Sequence, residues 1–507
     1  MRTKSAINNL IAALLLSLVT AISGLILPKL FILTYGSEVN GLISSIKQFL
    51  VYLNLVEAGI GYAAMAMLYL PIREKNYNAI NSILSAMRIQ YIKSGWLFMA
   101  LVLVLAFIYP LFVLDQISWI MSFLMVLVLG ISGVSEFFLI GKYRVFLTAA
   151  QKGYIVSYIQ LGGVLLNLFV TIILVLAEVN PIIVQLLASA IYVFRFILLR
   201  LYLNKKYPLV SYIEEPNYQA LDKKGDVLIH QIVNLILVNT PIIIITIFCS
   251  LKEVSVFTIY LLVHNMIVMV LSVFMNGFQA VFGDIISEKK KDLLRRNYHL
   301  YECSFFPVVT ITYIVTALLY MSFISLYTSG ITDTNYIRPQ LATLFVIIGI
   351  LHNLRIPSMS ILNSAGLFKE TKVAAIIEAV ISLVLSLILV QYWGIVGVLI
   401  GWLTAYLFRV FVLIKQISKD YVYGSVFPTL KVLMMNGIFG YITYFICKNF
   451  IHLSIYNYFG FLVCGILIVL IASILIIVFN LIIYRKEFFS MKEKLMNLFI
   501  KKQNMLN

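Results

Sequence analysis

Several stretches of this sequence are almost wholly apolar, yet each carries an ionisable side chain within it. The residues are Lys47, Glu57, Arg195, His264, His352, Arg355, Glu378 and Arg409, with Lys29 and Glu136 near the ends of such stretches. A charge in hydrocarbon is costly, so by default it faces a bundle interior or a water-filled cavity. Cations exceed carboxylates in this set. A cavity lined by them suits an anionic ligand such as a pyrophosphate, whose oxygens arginine holds bidentately. Lys47 and Arg355 are expected to line it. Lys47 lies roughly 12 Å from the outer start of its helix at 1.5 Å per residue, and Arg355 sits deep in its own helix beside Pro357. Lys29 follows Pro28, a residue able to kink a helix, and is a further candidate. Arg195 and Arg409 fall in the inner halves of their helices. They either line the cavity or extend their head groups to the interface. Glu57 and Glu378 are open to two readings as well, exchange of a proton or sodium ion, or pairing with the internal cations. His264 and His352 stand far apart in sequence, so no metal site is expected.

The elements that must position these groups follow from composition. The chain has 507 residues, 62% hydrophobic and only 12% charged, against about 45–50% and about 25% in soluble domains. So few charges cannot cover the two to four soluble domains that this length would otherwise form. An all-α polytopic membrane protein is expected, and the soluble-enzyme, nucleic-acid-binding and secreted disulfide classes are excluded, despite a net charge of +17. The cysteines, Cys249, Cys303, Cys447 and Cys464, form no CxxC pair and no zinc spacing. They read as small apolar fillers, with a Cys447–Cys464 bridge as the alternative.

A spanning helix needs roughly 20 apolar residues. By that measure there are about fourteen spans, near 8–34, 40–69, 92–110, 117–140, 154–177, 181–203, 227–248, 254–286, 302–325, 337–363, 372–392, 395–416, 429–448 and 458–484. The first apolar run is too long for a signal-peptide core and reads as a retained helix. With the N-terminus in the cytoplasm, inner segments hold most of the 38 Lys and Arg, while the outer ends hold only Lys29, Lys252, Arg338 and Lys448. This asymmetry places both termini inside.

Fragments recur at a nearly constant offset. Glu38-Val39 matches Glu253-Val254, Leu147-Thr148-Ala149-Ala150 matches Leu362-Asn363-Ser364-Ala365, and Tyr192-Val193-Phe194-Arg195 matches Tyr406-Leu407-Phe408-Arg409. The offset covers six helices, so the copies share an orientation. The expected plan is an N-terminal lobe at 1–204, a cytoplasmic linker at 205–226, a C-terminal lobe at 227–418 related to the first by pseudo-two-fold symmetry, an extra helix pair at 419–484, and a basic amphipathic tail at 485–507 on the anionic inner surface. Parallel repeats of this kind suit a transporter with a central site. No GxxxxGK[ST], HExxH or GxSxG motif is present, and no loop is long enough to form a catalytic domain. Neither enzymatic activity nor a cofactor is expected.

Tyr35-Gly36-Ser37-Glu38-Val39-Asn40-Gly41-Leu42, followed by Asn54-Leu55-Val56-Glu57-Ala58-Gly59-Ile60-Gly61, resembles the first two spans of bacterial polysaccharide flippases. Asn363-Ser364-Ala365-Gly366, with Gly394-Ile395-Val396-Gly397-Val398-Leu399-Ile400-Gly401 downstream, is a second such stretch. With the helix plan, the resemblance covers most of the chain. The family is the multidrug/oligosaccharidyl-lipid/polysaccharide exporter superfamily, in particular its O-antigen and capsular repeat-unit flippases. The resemblance implies translocation of undecaprenyl-pyrophosphate-linked oligosaccharide across the bacterial cytoplasmic membrane by alternating access. It also implies a cationic central cavity, membrane lipids as surroundings, and a polysaccharide polymerase and a chain-length regulator as partners. An ion-coupled multidrug antiporter and a peptidoglycan-precursor flippase are the alternatives on the same fold. The antiporter should favour an acidic cavity.

Overall fold

The computed structural model describes residues 2–57, 59–217, 225–450 and 455–485, and every regular element among them is helical. A hydrocarbon medium offers no water to the backbone, so each segment must satisfy its own N–H and C=O groups, and a helix does this. Local sequence marks the ends. The side chains of Asn76, Ser118, Asn180 and Asn457 accept from backbone N–H groups of the first turns that follow them. Each thereby satisfies a donor that the helix leaves open.

Packing divides the chain into two units, Met1–Ile259 with Gly330–Thr334, and Tyr260–Ser329 with Asn335–Asn507. The first contains α1 (Arg2–Leu53), α2 (Ile60–Glu74), α3 (Tyr77–Val113), α4 (Trp119–Ser135), α5 (Gly141–Ala149), α6 (Gly153–Leu176), α7 (Pro181–Lys206), α8 (Gly225–Phe248) and the start of α9 (Leu251–Ser287). The second contains the rest of α9, then α10 (Lys291–Tyr327), α11 (Pro339–Leu354), α12 (Ile356–Ala365), α13 (Phe368–Trp393), α14 (Ile395–Leu413), α15 (Phe427–Phe450) and α16 (Tyr458–Ile483). This packing boundary falls inside α9, whereas the repeat in the sequence starts its second copy at 227.

Among the described residues, 12 helices are long and apolar enough to cross a membrane; the protein is a multi-pass membrane protein. The difference from about fourteen has two sources. The first two spans form one continuous helical stretch, Ile7–Glu57, bent where Gly36 takes φ 85° and ψ 169°. The span expected at 227–248 is represented among the described residues by the apolar segment Leu235–Phe248 of α8. One expectation is corrected. The span at 40–69 is not a single helix. It stops at Leu53, tightens into a 3-10 turn at Asn54–Glu57, and restarts at Ile60 after Gly59, whose φ of 87° lies in the left-handed region. Glycine reaches that conformation without a Cβ clash. Likewise, the non-helical backbone inside α1 is at Gly36 rather than Pro28.

The repeat is visible element by element. Advancing the starts of α5 and α6 by 215 residues, the separation of Asn40 and Ser255, gives the starts of α12 and α13. The starts of α7 and α14 differ by one residue less. Two of these equivalent positions also touch, since the Asn40 amide donates to Ser255 Oγ at 2.8 Å in a buried contact. Nearby, Ser45 and Thr246 hydroxyls bond at 2.7 Å. The described part of the linker is pinned to α3. Asn81 donates to the Leu209 carbonyl and accepts from Ser211 N, while Arg88 donates to the Tyr212 carbonyl. All four cysteines are free thiols, and Cys303, Cys447 and Cys464 are buried. The expected tail beyond Arg485 lies outside the described residues.

Backbone approach at the α1–α9 seam is close. A Cβ on Gly41 would fall 1.9 Å from the Leu251 carbonyl oxygen, while Gly437 on α15 has open space at the same position. Overpacking of this kind costs about 1–3 kcal/mol. Gly41→Ala is therefore expected to lower the melting temperature of the purified protein, and Gly437→Ala to leave it unchanged. Equal melting of the two variants would contradict the seam.

Candidate functional site

The second unit gathers three of the charges singled out in the sequence. Arg355 closes α11, where the helix breaks before Pro357 and restarts as α12. Its Nη1 meets Glu378 Oε1 at 2.8 Å, and Arg409 Nε meets the other carboxylate oxygen at 3.4 Å. Glu378 and Arg409 are each 3% exposed and Arg355 12%, so the cluster is enclosed. Arg409 is held by Glu378 and by the Thr371 carbonyl, and its head group does not extend outward. Arg355 also lies over the Tyr406 ring, 4.0 Å from its centroid, and its Nη2 is 3.0 Å from His352 Nδ1. Guanidinium only donates, so Nδ1 accepts and the His352 ring is neutral with its proton on Nε2. His264 and His352 are brought together, 6.1 Å between centroids, with Trp402 beside His264. No group of three or more metal-ligating side chains occurs among the described residues. Two guanidinium groups against one carboxylate leave the cluster one positive charge in excess.

The first unit holds a second cluster. Arg144, on α5, bridges Glu57 at 3.1 Å and Glu136 at 3.0 Å, and the Tyr91 hydroxyl donates to Glu57. Glu57 sits in the 3-10 turn and Glu136 opens a π turn between α4 and α5, so both acids occupy helix breaks. Glu57, Arg144, Asn54 and Thr148 line a cavity of about 470 Å³. The second unit has a larger, mainly apolar cavity of about 740 Å³ between α10, α11 and α15.

The remaining cations differ. Lys47 is exposed and, among the described residues, makes no ion pair or hydrogen bond. It lies one turn before Val51, which lines the 470 Å³ cavity, and residues four apart share a helix face. Lys29 is half-buried on α1 ahead of the bend at Gly36. Arg195 is the repeat counterpart of Arg409, but its stem packs on Gly163, the position equivalent to Glu378. Its head group stacks over Tyr192, and its buried Nε has no hydrogen-bond partner. One copy of the repeat thus has a carboxylate where the other has a glycine.

Sequence reasoning missed Arg144, which reads as an inner-loop cation, and Glu302, which sits at the start of an apolar run. Glu302 is fully buried on α10. The signal for Arg144 is the repeat. Arg144 is in α5 and Arg355 directly precedes α12, its counterpart, so each copy has an arginine at this short helix. Two cations at the same short helix of each copy call for acids nearby.

The fold is shared with known transporters. A structure of the lipid II flippase MurJ in an inward closed conformation aligns with a TM-score of 0.64 at 17% identity, covering 93% of this chain and 99% of that one. An inward-facing multidrug resistance MATE family transporter of the MOP superfamily aligns with a TM-score of 0.63 at 13% identity, covering 83% and 95%. A MOP superfamily transporter from Pyrococcus furiosus, described as having a binding pocket of reverse polarity that suggests a different function, aligns at 0.51 and 12% identity, covering 82% and 96%. No family model matches the chain, and no curated protein matches its sequence. The chain has the MOP-type fold.

Removing one partner of a buried pair strands the other charge and costs about 3–5 kcal/mol. Glu378→Gln leaves two guanidinium groups facing each other. It is expected to lower the melting temperature markedly, and more than Glu57→Gln, because Arg144 is 43% exposed and keeps Glu136. Melting of Glu378→Gln with the parent protein would contradict the cluster's role in holding α12, α13 and α14 together.

Proposed function

We propose that the protein is a flippase that moves undecaprenyl-pyrophosphate-linked oligosaccharide repeat units across the bacterial cytoplasmic membrane by alternating access, for a capsule or another surface polysaccharide. The observation that carries this reading is Lys47, an exposed cation with no partner among the described residues, on a helix apolar enough to cross a membrane. Such a charge is stable there only beside water or an anion. The net positive Arg355–Glu378–Arg409 cluster and the half-buried Arg195 add to the same sign. Lys47 is assigned first to the pyrophosphate, then Arg355, with Lys29, Arg195 and Arg409 contributing positive potential. The polar lining of the first unit's cavity, Asn54, Glu57, Arg144 and Thr148, matches sugar hydroxyls. The apolar cavity of the second unit matches hydrocarbon. The reading implies both termini in the cytoplasm and a polymerase and chain-length regulator acting downstream.

A lipid II flippase is the second reading. The MurJ alignment favours it, and its substrate shares the lipid pyrophosphate. A multidrug antiporter fits less well, because cationic drugs are repelled by a cationic surplus.

The test is binding of undecaprenyl pyrophosphate to the full chain in lipid nanodiscs. A hydrogen bond to a charged group contributes about 1.5–3 kcal/mol, which is about tenfold or more in affinity. Lys47→Gln is expected to weaken binding by at least that factor, and Lys47→Arg to retain it. Unchanged binding in Lys47→Gln would remove Lys47 from the site, and tight binding of cationic dyes in place of the pyrophosphate would favour the antiporter.

A further inference from the structure

Glu302 differs from every other buried acid in the protein described above. It is fully buried on α10, and among the described residues no lysine, arginine or histidine nitrogen lies within 4.0 Å of its carboxylate. Glu57, Glu136 and Glu378 each face an arginine. Around Glu302 there are hydroxyls instead. Thr429 Oγ1, in the first turn of α15, bonds to Oε1 at 2.6 Å, and the Tyr423 hydroxyl bonds to Oε2 at 2.9 Å. Thr429 is in turn 2.8 Å from Ser418 Oγ. Tyr423 ends the π-helical stretch Ile414–Tyr423 that extends α14, and Gly424 turns the chain there with φ 73°. A single carboxyl therefore ties α10 to both sides of the turn that leads into α15.

The groups that face it can be named from each element. On its own helix these are Tyr298, which bonds Ser358 of α12, and His299, 3.7 Å from Cys303 Sγ. Tyr423 comes from the π stretch and Thr429 from α15. Tyr484, after α16, packs on His299. The Arg295 guanidinium lies over the Tyr423 ring, 5.7 Å from its centroid, rather than against the carboxylate. Tyr423 and His299 also line a cavity of about 320 Å³ with Asp292, Arg295, Arg296 and Pro428. One end of the hydroxyl chain therefore reaches an open space, and the other ends on a buried acid.

We propose that Glu302 is a proton-binding site, reached from this cavity through Tyr423, whose protonation state sets how firmly α15 is held against α10. A buried carboxylate with no counter-ion among the described residues is strongly disfavoured in its charged form, and taking up a proton removes that penalty. In the protonated form Glu302 Oε1–H donates to Thr429 Oγ1, and Thr429 donates to Ser418. In the ionised form both donors reverse. Ser418 donates to Thr429, Thr429 donates to Oε1, and the released proton leaves past Tyr423 to the cavity. Ionisation puts an uncompensated charge at the α10–α15 seam, which opens to let water reach it. The site does not depend on the identity of the transported molecule, so it stands or falls separately from the flippase reading.

The experiment is infrared difference spectroscopy of the full chain in lipid nanodiscs across a pH titration, with hydrogen exchange of 427–450 followed in parallel. A protonated-carboxyl band is expected at the acidic end, disappearing as pH rises while exchange in 427–450 increases. Glu302→Gln keeps the shape and the hydrogen bonds. It should lack the band and hold 427–450 protected at every pH. Tyr423→Phe should keep the band at a shifted frequency, because one hydrogen bond is lost. The same titrating band in Glu302→Gln as in the parent protein would overturn the proposal. So would loss of the band on adding sodium at constant pH, which would make the site a sodium site.

Discussion

Hydrocarbon cannot solvate a charge, and this constraint orders most of what the protein does with its ionisable side chains. Five of them illustrate three fates. Arg144, Arg355 and Arg409 are paired with carboxylates at 2.8–3.4 Å. Glu302 accepts from hydroxyls and, among the described residues, has no cation within ion-pair distance. Lys47 is exposed without a partner among the described residues. The first group ties helices together, and the other two carry the proposals made above, a proton site at Glu302 and an anion-binding role for Lys47. One physical rule thus separates structural, titrating and binding charges that look alike in a list of residues.

Three of the paired charges sit where helices break. Glu57 occupies a 3-10 turn, Glu136 opens a π turn, and Arg355 separates α11 from α12. Breaks expose backbone groups and bend the chain, so they are the natural places for polar side chains in an apolar bundle. The glycines at Gly36 and Gly59 supply conformations that other residues resist.

Much of the architecture was legible in the sequence, because apolar run length and cation placement report helices directly. The repeat was legible too, since short fragments at matching positions of the two copies survive in order. Helix breaks inside apolar runs were harder. In 40–69 the dip at Glu57, Gly59 and Gly61 is brief and flanked by apolar residues on both sides, so a single span was the natural reading. Pairings were harder still. Arg355, Glu378 and Arg409 were each visible as internal charges, but their meeting depends on the packing of three helices. Arg144 escaped notice because lysines and arginines near a span end usually belong to the inner surface. Glu302 escaped because its hydroxyl partners lie more than a hundred residues away.

The central claim is that a cationic site in an apolar bundle serves an anionic lipid-linked sugar. Its most direct measurement uses sealed vesicles containing the purified protein and a lipid-linked oligosaccharide repeat unit. The fraction of sugar open to a membrane-impermeant glycosidase is followed over time, with and without an ion gradient. The account predicts protein-dependent exposure that falls when Lys47 and Arg355 are neutralised together. No exposure under any gradient, with export of cationic dyes from the same vesicles, would contradict it.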